Sequence, residues 1–476
     1  MKFYVSLGLI MSTLLSASTG SAQTPAPFSL PPNFRFCVST AAYQVEGNDI
    51  HSDWWQWEQQ PGKIKNNDKS GVATDAFNHL DEDIQNMTSL GVANVKSPLI
   101  DLYRFSVEWA KIEPSEGVYD EAELAQYQQQ IARLHAAGIE SMITLYHFTL
   151  PQWVAEKGGW EWNGIAKAFE GFTQKVVNAL GKDANGKPTV KLWITLNEPM
   201  SIIAGGYISD VFPPARNDIR SIGLPMINMV KAHALSYYKI HELLDSDDFK
   251  PSVGLAHHLR VFDPWRKHNP LDRFASRKFD EIFNWAIPEA IKTGRLKFSM
   301  PLVVHVNVDI PEIKKNDPAQ TQDFFGLNYY SRDEIAFHLF AKNKLDRKTA
   351  RGAEVQDLGW EIYPEGMKRI LDQVQLRFPH KPIWITENGL ADKTDQKRAK
   401  FIKDHLRVLS EEIARGAPIY GYCHWTLNDN FEWAEGWTAH FGLYSLDPVT
   451  LKRVPRSSAL EFGKMIQSVK SGQAIE

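Results

Sequence analysis

One pattern recurs along this chain of 476 residues. A short apolar run rich in β-branched or aromatic residues ends abruptly in a polar side chain, and a longer stretch with apolar residues at helical spacing follows. The runs occupy residues 34–39, 102–106, 142–147, 190–198, 253–257, 324–329, 382–387 and 420–425. Each has the length of a buried strand, and Pro or Gly closes two of them, in Asn197-Glu198-Pro199 and Glu387-Asn388-Gly389. Between runs, residues 121–137 place Leu124, Tyr127, Ile131 and Leu134 on one helical face and stop at Gly138, and residues 165–180 and 398–415 behave likewise. Eight such units predict an α/β fold, a single (β/α)8 TIM barrel with extended βα loops. Length alone would suggest two or three domains, but barrels of this kind reach this size as one unit, and no linker or low-complexity stretch divides the chain.

The N-terminus reads differently. Met1-Lys2, a largely apolar stretch to Leu15, and Ser21 flanked by Gly20 and Ala22 have the layout of a secretory signal peptide, so residues 1–22 are expected to be removed and 23–476 to form the catalytic domain. The apolar stretch is short for a bilayer, and nothing later supplies about 18 uninterrupted apolar residues, so no stable membrane anchor is expected. An uncleaved anchor is the lesser alternative, and the expected location is secreted or periplasmic. Lys and Arg number 53 against 57 Asp and Glu, a net charge of -4 that offers no basic field for nucleic acid or anionic lipid. A neutral small molecule is the easier partner. Cys37 and Cys423 are the only cysteines, too few for a zinc site or a disulfide framework. They fall on the first and last strands, which a closed barrel makes neighbours. Cross-strand bridging is geometrically demanding, so the expectation is two buried free thiols, with a disulfide the alternative in an oxidising compartment. No metal-ligand cluster and no phosphate-cradling glycine loop is evident, so no metal or organic cofactor is expected.

In parallel-sheet folds the chemistry is done at the C-terminal ends of the strands. Here Gln44, Arg104, His147, Asn197, Glu198, Asn328, Tyr330, Glu387, Trp425, Glu432 and Trp433 all lie at or just past such ends. Amide, imidazole and carboxylate groups can pair with several hydroxyls at once, and tryptophan offers a flat face to the C–H side of a pyranose. Singly, each has a bland reading: a glutamate paired with a base, a structural histidine, a core tryptophan. Two strand-end glutamates together have a sharper one. Converging carboxylates are the machinery of glycoside hydrolysis, one protonating the leaving oxygen and the other attacking the sugar or activating water.

The segments Ala41-Ala42-Tyr43-Gln44-Val45-Glu46-Gly47, Tyr103-Arg104-Phe105-Ser106, Tyr146-His147 with Leu150-Pro151-Gln152, Thr195-Leu196-Asn197-Glu198-Pro199, Gly326-Leu327-Asn328-Tyr329-Tyr330, Ile385-Thr386-Glu387-Asn388-Gly389 and Asn430-Phe431-Glu432-Trp433 together resemble family 1 glycoside hydrolases, the retaining β-glucosidase family, from about Phe34 to Phe462. The resemblance implies Glu198 as acid/base, Glu387 as nucleophile, and Gln44, His147, Asn197, Glu432 and Trp433 on the hydroxyls of the transferred sugar. It implies Trp425 under the sugar ring and Trp360, in Gly359-Trp360-Glu361, as a platform for the leaving group. Arg104, Asn328 and Tyr330 would support the carboxylates. The implied substrate is a terminal β-D-glucosyl residue, with β-D-galactosyl or fucosyl residues as further glycones, in a small β-glycoside or oligosaccharide. Physical reasoning adds that Glu387 should be ionised beside Arg104 and Tyr330, and Glu198 protonated through burial and the nearby charge. Phe148 stands where the family has Trp, and His440 where it has Arg. A 6-phospho-β-glycosidase is disfavoured because the acidic Glu432 would face the phosphate, and a catalytically silent glycoside-binding receptor domain because both glutamates are retained.

Overall fold

The computed structural model describes residues 26–183, 185–314, 317, 320–338 and 345–476; the predicted signal peptide lies outside them. The eight expected strands form a closed barrel: β1 (Arg35–Ser39), β2 (Leu102–Ser106), β3 (Glu140–Tyr146), β4 (Leu192–Asn197), β5 (Ser252–His258), β6 (Phe324–Asn328), β7 (Ile383–Asn388) and β8 (Ile419–Trp425), each parallel to its neighbours, with β8 beside β1. The outer helices are α1 (Leu80–Ser89), α2 (Glu121–Ala136), α3 (Ile165–Leu180), α4 (Gly223–Leu244), α5 (Ala286–Thr293), α6 (Pro364–Arg377), α7 (Arg398–Ala414) and α8 (Ser457–Lys470). Helix α2 begins where Asp120 accepts from the Ala122 and Glu123 amides, and it carries Glu121 and Glu123 in its first turn and Arg133 and His135 in its last, matching the helix dipole at both ends.

Side chains alternate across each strand, which splits the barrel interior into two storeys. The lower storey is apolar: Leu102, Met142, Ile194, Phe324, Trp384 and the two cysteines pack together, cut off from the main core between strands and helices. One turn of the alternation higher on β2, Leu102 gives way to Arg104 and then Ser106, so the interior becomes polar toward the strand C-termini. Helix α4 is tied to β4 from outside, because buried His233 bonds both Thr195 Oγ1 at 2.6 Å and the Thr321 carbonyl at 2.7 Å. Burial pushes that histidine down to about 4, which keeps it neutral.

The expectation of free thiols is corrected. Cys37 of β1 and Cys423 of β8 are paired directly across the parallel ladder with Cα atoms 4.1 Å apart, and they form a disulfide that spans 386 residues. Sequence placed the two strands side by side but not the two residues at one level. Excursions from the βα loops build over the upper face: an antiparallel hairpin of Arg295–Met300 and Val304–Asp309, a small sheet of Val261–Pro264, Arg332–Phe337 and Leu345–Lys348, and a helix at Pro270–Phe279. Thiol titration of the unreduced, denatured protein should find no free cysteine. Replacing both cysteines with alanine should lower the unfolding free energy by about 2–5 kcal/mol in a urea titration; an unchanged midpoint would mean the bridge adds nothing.

Candidate active site

Arg104 stands at the centre of the upper storey with no exposed surface. A guanidinium there needs an anion and acceptors for its remaining donors. Its Nη1 donates to Glu387 Oε1 at 2.5 Å and to the Thr386 carbonyl at 2.9 Å, its Nη2 to Asn197 Oδ1 at 2.7 Å, and its Nε to Thr144 Oγ1 at 3.3 Å. Four strands are thus gathered on one cation. The other oxygen of Glu387 accepts from the Tyr330 hydroxyl at 2.7 Å. Burial is the largest influence on Glu387 and, with the negative charge of Glu198, carries its carboxyl up to about 7 against the pull of Arg104 and Tyr330.

Glu198 leaves β4 in a left-handed backbone conformation, φ 43°, and Pro199 then starts a short helix. Asn328 of β6 donates to its Oε1 at 2.8 Å and to Asn197 Oδ1 at 3.0 Å, and is itself fixed by Thr386 Oγ1 at 2.6 Å. On the other oxygen, Ser201 donates at 2.7 Å and His258 Nδ1 lies at 3.2 Å, with Ser201 Oγ and His258 Nδ1 3.0 Å apart. Burial would raise Glu198, but the charge of His258 and the bonds from His258, Ser201 and Asn328 outweigh it and hold the carboxyl down at about 2. The protonated Glu198 expected from sequence is therefore corrected: its carboxyl is held ionised, while Glu387 is only partly ionised at neutral pH. The groups that lower Glu198 are His258, Ser201 and Asn328, of which motif reading passed over the first two.

The remaining residues named from the sequence lie around the same cavity. Gln44 Nε2 donates to Glu432 Oε2 at 3.0 Å and to the Phe431 carbonyl at 2.9 Å. Burial carries Glu432 up to about 8, so its carboxyl is largely neutral at pH 7 and can donate as well as accept. His147 Nε2 meets Asn197 Nδ2 at 3.0 Å, and its ring stacks on Trp425 and Trp433 at centroid distances of 5.8 and 5.9 Å. Burial and Arg104 keep His147 neutral, well below the usual histidine range, so this ring can accept as well as donate. Trp360 is set apart, edge-on to Tyr330 at 5.9 Å and faced by Arg260 at 5.4 Å. His147, Asn197, Glu198, Tyr330, Trp360, Glu387, Trp425, Glu432 and Trp433 line one cavity of about 720 Å³, with Arg104, Gln44 and Asn328 buried in its wall. Phe148, Glu198 and Trp433, all at the cavity, have positive φ angles of 78°, 43° and 50°. Such strain persists only where surrounding contacts hold it. His440, which stands where the family has Arg, bonds Asp429 at 3.0 Å, and Arg456, just before α8, grips the same carboxylate at 2.9 and 2.7 Å, so a cation still faces Asp429.

Two carboxylates in one cavity, one held by a guanidinium and a phenol and the other by an amide, a hydroxyl and an imidazole, are equipped for paired nucleophilic and acid/base work. Comparison with known proteins gives the family. Residues 27–471 match the profile of Glycosyl hydrolase family 1. Beta-glucosidase A of Thermotoga maritima is 31% identical over 465 residues, covering 92% of this chain and 98% of the relative. A beta-glycosidase from Pyrococcus horikoshii superposes with a TM-score of 0.81 at 32% identity, covering 95% of this chain and 97% of that one. The family 1 β-glucosidase structure from Thermotoga maritima gives a TM-score of 0.81 at 29% identity over 95% of this chain. From barrel, site and profile together, the chain belongs to glycosyl hydrolase family 1 and is a glycoside hydrolase.

Proposed function

We propose that the protein is a retaining β-glycosidase that hydrolyses terminal, non-reducing β-D-glucosyl residues, and β-D-galactosyl or fucosyl residues where the hydroxyl contacts allow, with Glu387 as nucleophile and Glu198 as acid/base. The observation that carries this reading is the unequal clothing of the two carboxylates. Glu387 is fixed by Arg104 and Tyr330 on both oxygens, which orients it for attack and stabilises it as the departing carboxylate. Glu198 has proton-bearing neighbours in Ser201 and His258.

In the first step a Glu387 oxygen bonds to the anomeric carbon while the glycosidic C–O bond breaks and Glu198 gives its proton to the leaving oxygen. In the second, water attacks the same carbon, its proton passes to Glu198, and the ester to Glu387 breaks. Two inversions return the β-configuration. In the first step Glu198 must carry the proton, and a bound aglycone that removes water from its carboxylate favours that protonated form. Gln44, His147, Asn197, Glu432 and Trp433 would hold the sugar hydroxyls over Trp425, and Trp360 would face the leaving group. The Cys37–Cys423 bridge supports the expectation of export through a signal peptide to an oxidising compartment, secreted or periplasmic.

Glu387→Gly should abolish hydrolysis, and added azide should restore turnover with α-glycosyl azide as product; a β-azide would remove Glu387 from the nucleophile's role. Glu198→Ala should slow glycosylation by alkyl glucosides roughly 10²–10⁴-fold while sparing dinitrophenyl glucosides, which need little protonation. His258→Asn should show the same leaving-group signature more weakly, and equal losses on both substrates would contradict the acid assignment. Because Glu387 titrates at about 7 and attacks only when ionised, kcat/KM for a dinitrophenyl glucoside should fall as pH drops through that value. Tyr330→Phe removes a bond that favours the carboxylate, so it should move this limb to higher pH; a shift to lower pH would count against the assigned role of that bond.

A further inference from the structure

The cavity is much larger than one sugar ring requires, and its lining changes character across Glu198. On the sugar side stand His147, Asn197, Trp425, Glu432 and Trp433. The acid/base protonates the oxygen that leaves with the aglycone, so the aglycone must lie on the side of Glu198 and His258. The His258 ring meets Phe283 at 5.5 Å, Phe283 meets Phe262 at 5.6 Å, and Phe262 meets Phe279 at 5.6 Å. Ile282, Met300 and Val304 continue this wall. The charged groups among these walls are paired within the protein: Arg260 and Arg347 share Asp333, Lys278 meets Glu281, and Asp346 meets Lys348. A second sugar would lose water from its hydroxyls and find phenylalanine faces in return.

Resting on the β-glycosidase reading above, we infer that the natural aglycone is a large hydrocarbon, an alkyl chain or fused apolar rings, and not another sugar. Ile208 and Val211, on the segment after Glu198, line the chamber and are also exposed, and Leu271 and Phe274 on the Pro270–Phe279 helix and Leu302 and Val303 in the turn of the hairpin are exposed too. These elements also supply chamber wall, as Phe279, Met300, Val304 and Phe212. Exposed apolar residues on the elements that build a pocket mark a surface that receives apolar partners.

The test is a series of alkyl β-glucosides from butyl to decyl, assayed below their micelle concentrations beside cellobiose and a nitrophenyl glucoside. Since burying one methylene is worth at most about fourfold in binding, kcat/KM should rise roughly two- to fourfold per methylene until the chamber is filled, and decyl glucoside should exceed cellobiose by more than about a hundredfold. Phe262→Asn and Phe279→Asn should flatten the rise through KM; if either variant fails to fold, the wild-type series still decides. A flat series with cellobiose hydrolysed as well as decyl glucoside would overturn the inference while leaving the glycosidase reading intact. Failure to cleave even the nitrophenyl glucoside would remove that reading, and the inference with it. Repeating the series in phosphatidylcholine vesicles identifies the source: faster turnover there assigns a membrane glycolipid, slower turnover a freely diffusing glucoside, and either retains the apolar aglycone.

Discussion

A fully buried guanidinium organises the upper half of this barrel. Removed from water, Arg104 is tolerable only with an anion against it and acceptors for its other N–H groups, and strands β3, β4 and β7 supply them. The demand is mutual, since Glu387 is also buried and would be protonated well above pH 7 without that cation. Breaking such a pair from one side costs about 3–5 kcal/mol. This explains why a small anion should be drawn into the space left when Glu387 is shortened: the unpaired charge of Arg104 attracts it independently of any sugar.

The two carboxylates differ because their burial is offset in different ways. Burial raises both; one cation and one phenol only partly compensate at Glu387, whereas an imidazole, a hydroxyl and an amide overcompensate at Glu198. Glu432 is raised as well, to about 8, so the site holds three carboxyl groups without three full negative charges at neutral pH. A neutral Glu432 also weakens the electrostatic part of the argument against phosphorylated sugars. What remains of it is local: the groups bonded to Glu432 are Gln44 and neighbouring protein atoms, with no cation among them.

The barrel was legible because each strand announces its own end. A buried parallel strand must be apolar until it reaches the site and polar immediately afterwards, and that step survives in sequence for all eight strands within a residue or two. The residues proposed to face the sugar were legible for the same reason. His258 was not, although a signal existed: two adjacent histidines end β5, and alternation sends one outward, where His257 stacks on Phe325 at 4.6 Å, and the other into the cavity. Ser201 was hidden in the turn after Glu198, where only three-dimensional closure brings it to the carboxylate. The apolar chamber was illegible because its walls come from long insertions after β4 and β5, whose residues meet through packing and carry no repeat. The cysteines lay between these cases: their strands were placed correctly, but their level on the ladder depends on barrel register, which no local pattern records.

That bridge gives the molecule a covalent topology unlike its linear sequence. With β1 sewn to β8, the polypeptide from Cys37 to Cys423 is a ring that contains all eight strands, and the sheet has no loose terminal strand to peel away. A protease that cuts any one loop inside the ring opens it without releasing a fragment. Wherever nicking is a hazard, a cut chain held in this way keeps its two carboxylates in the same molecule.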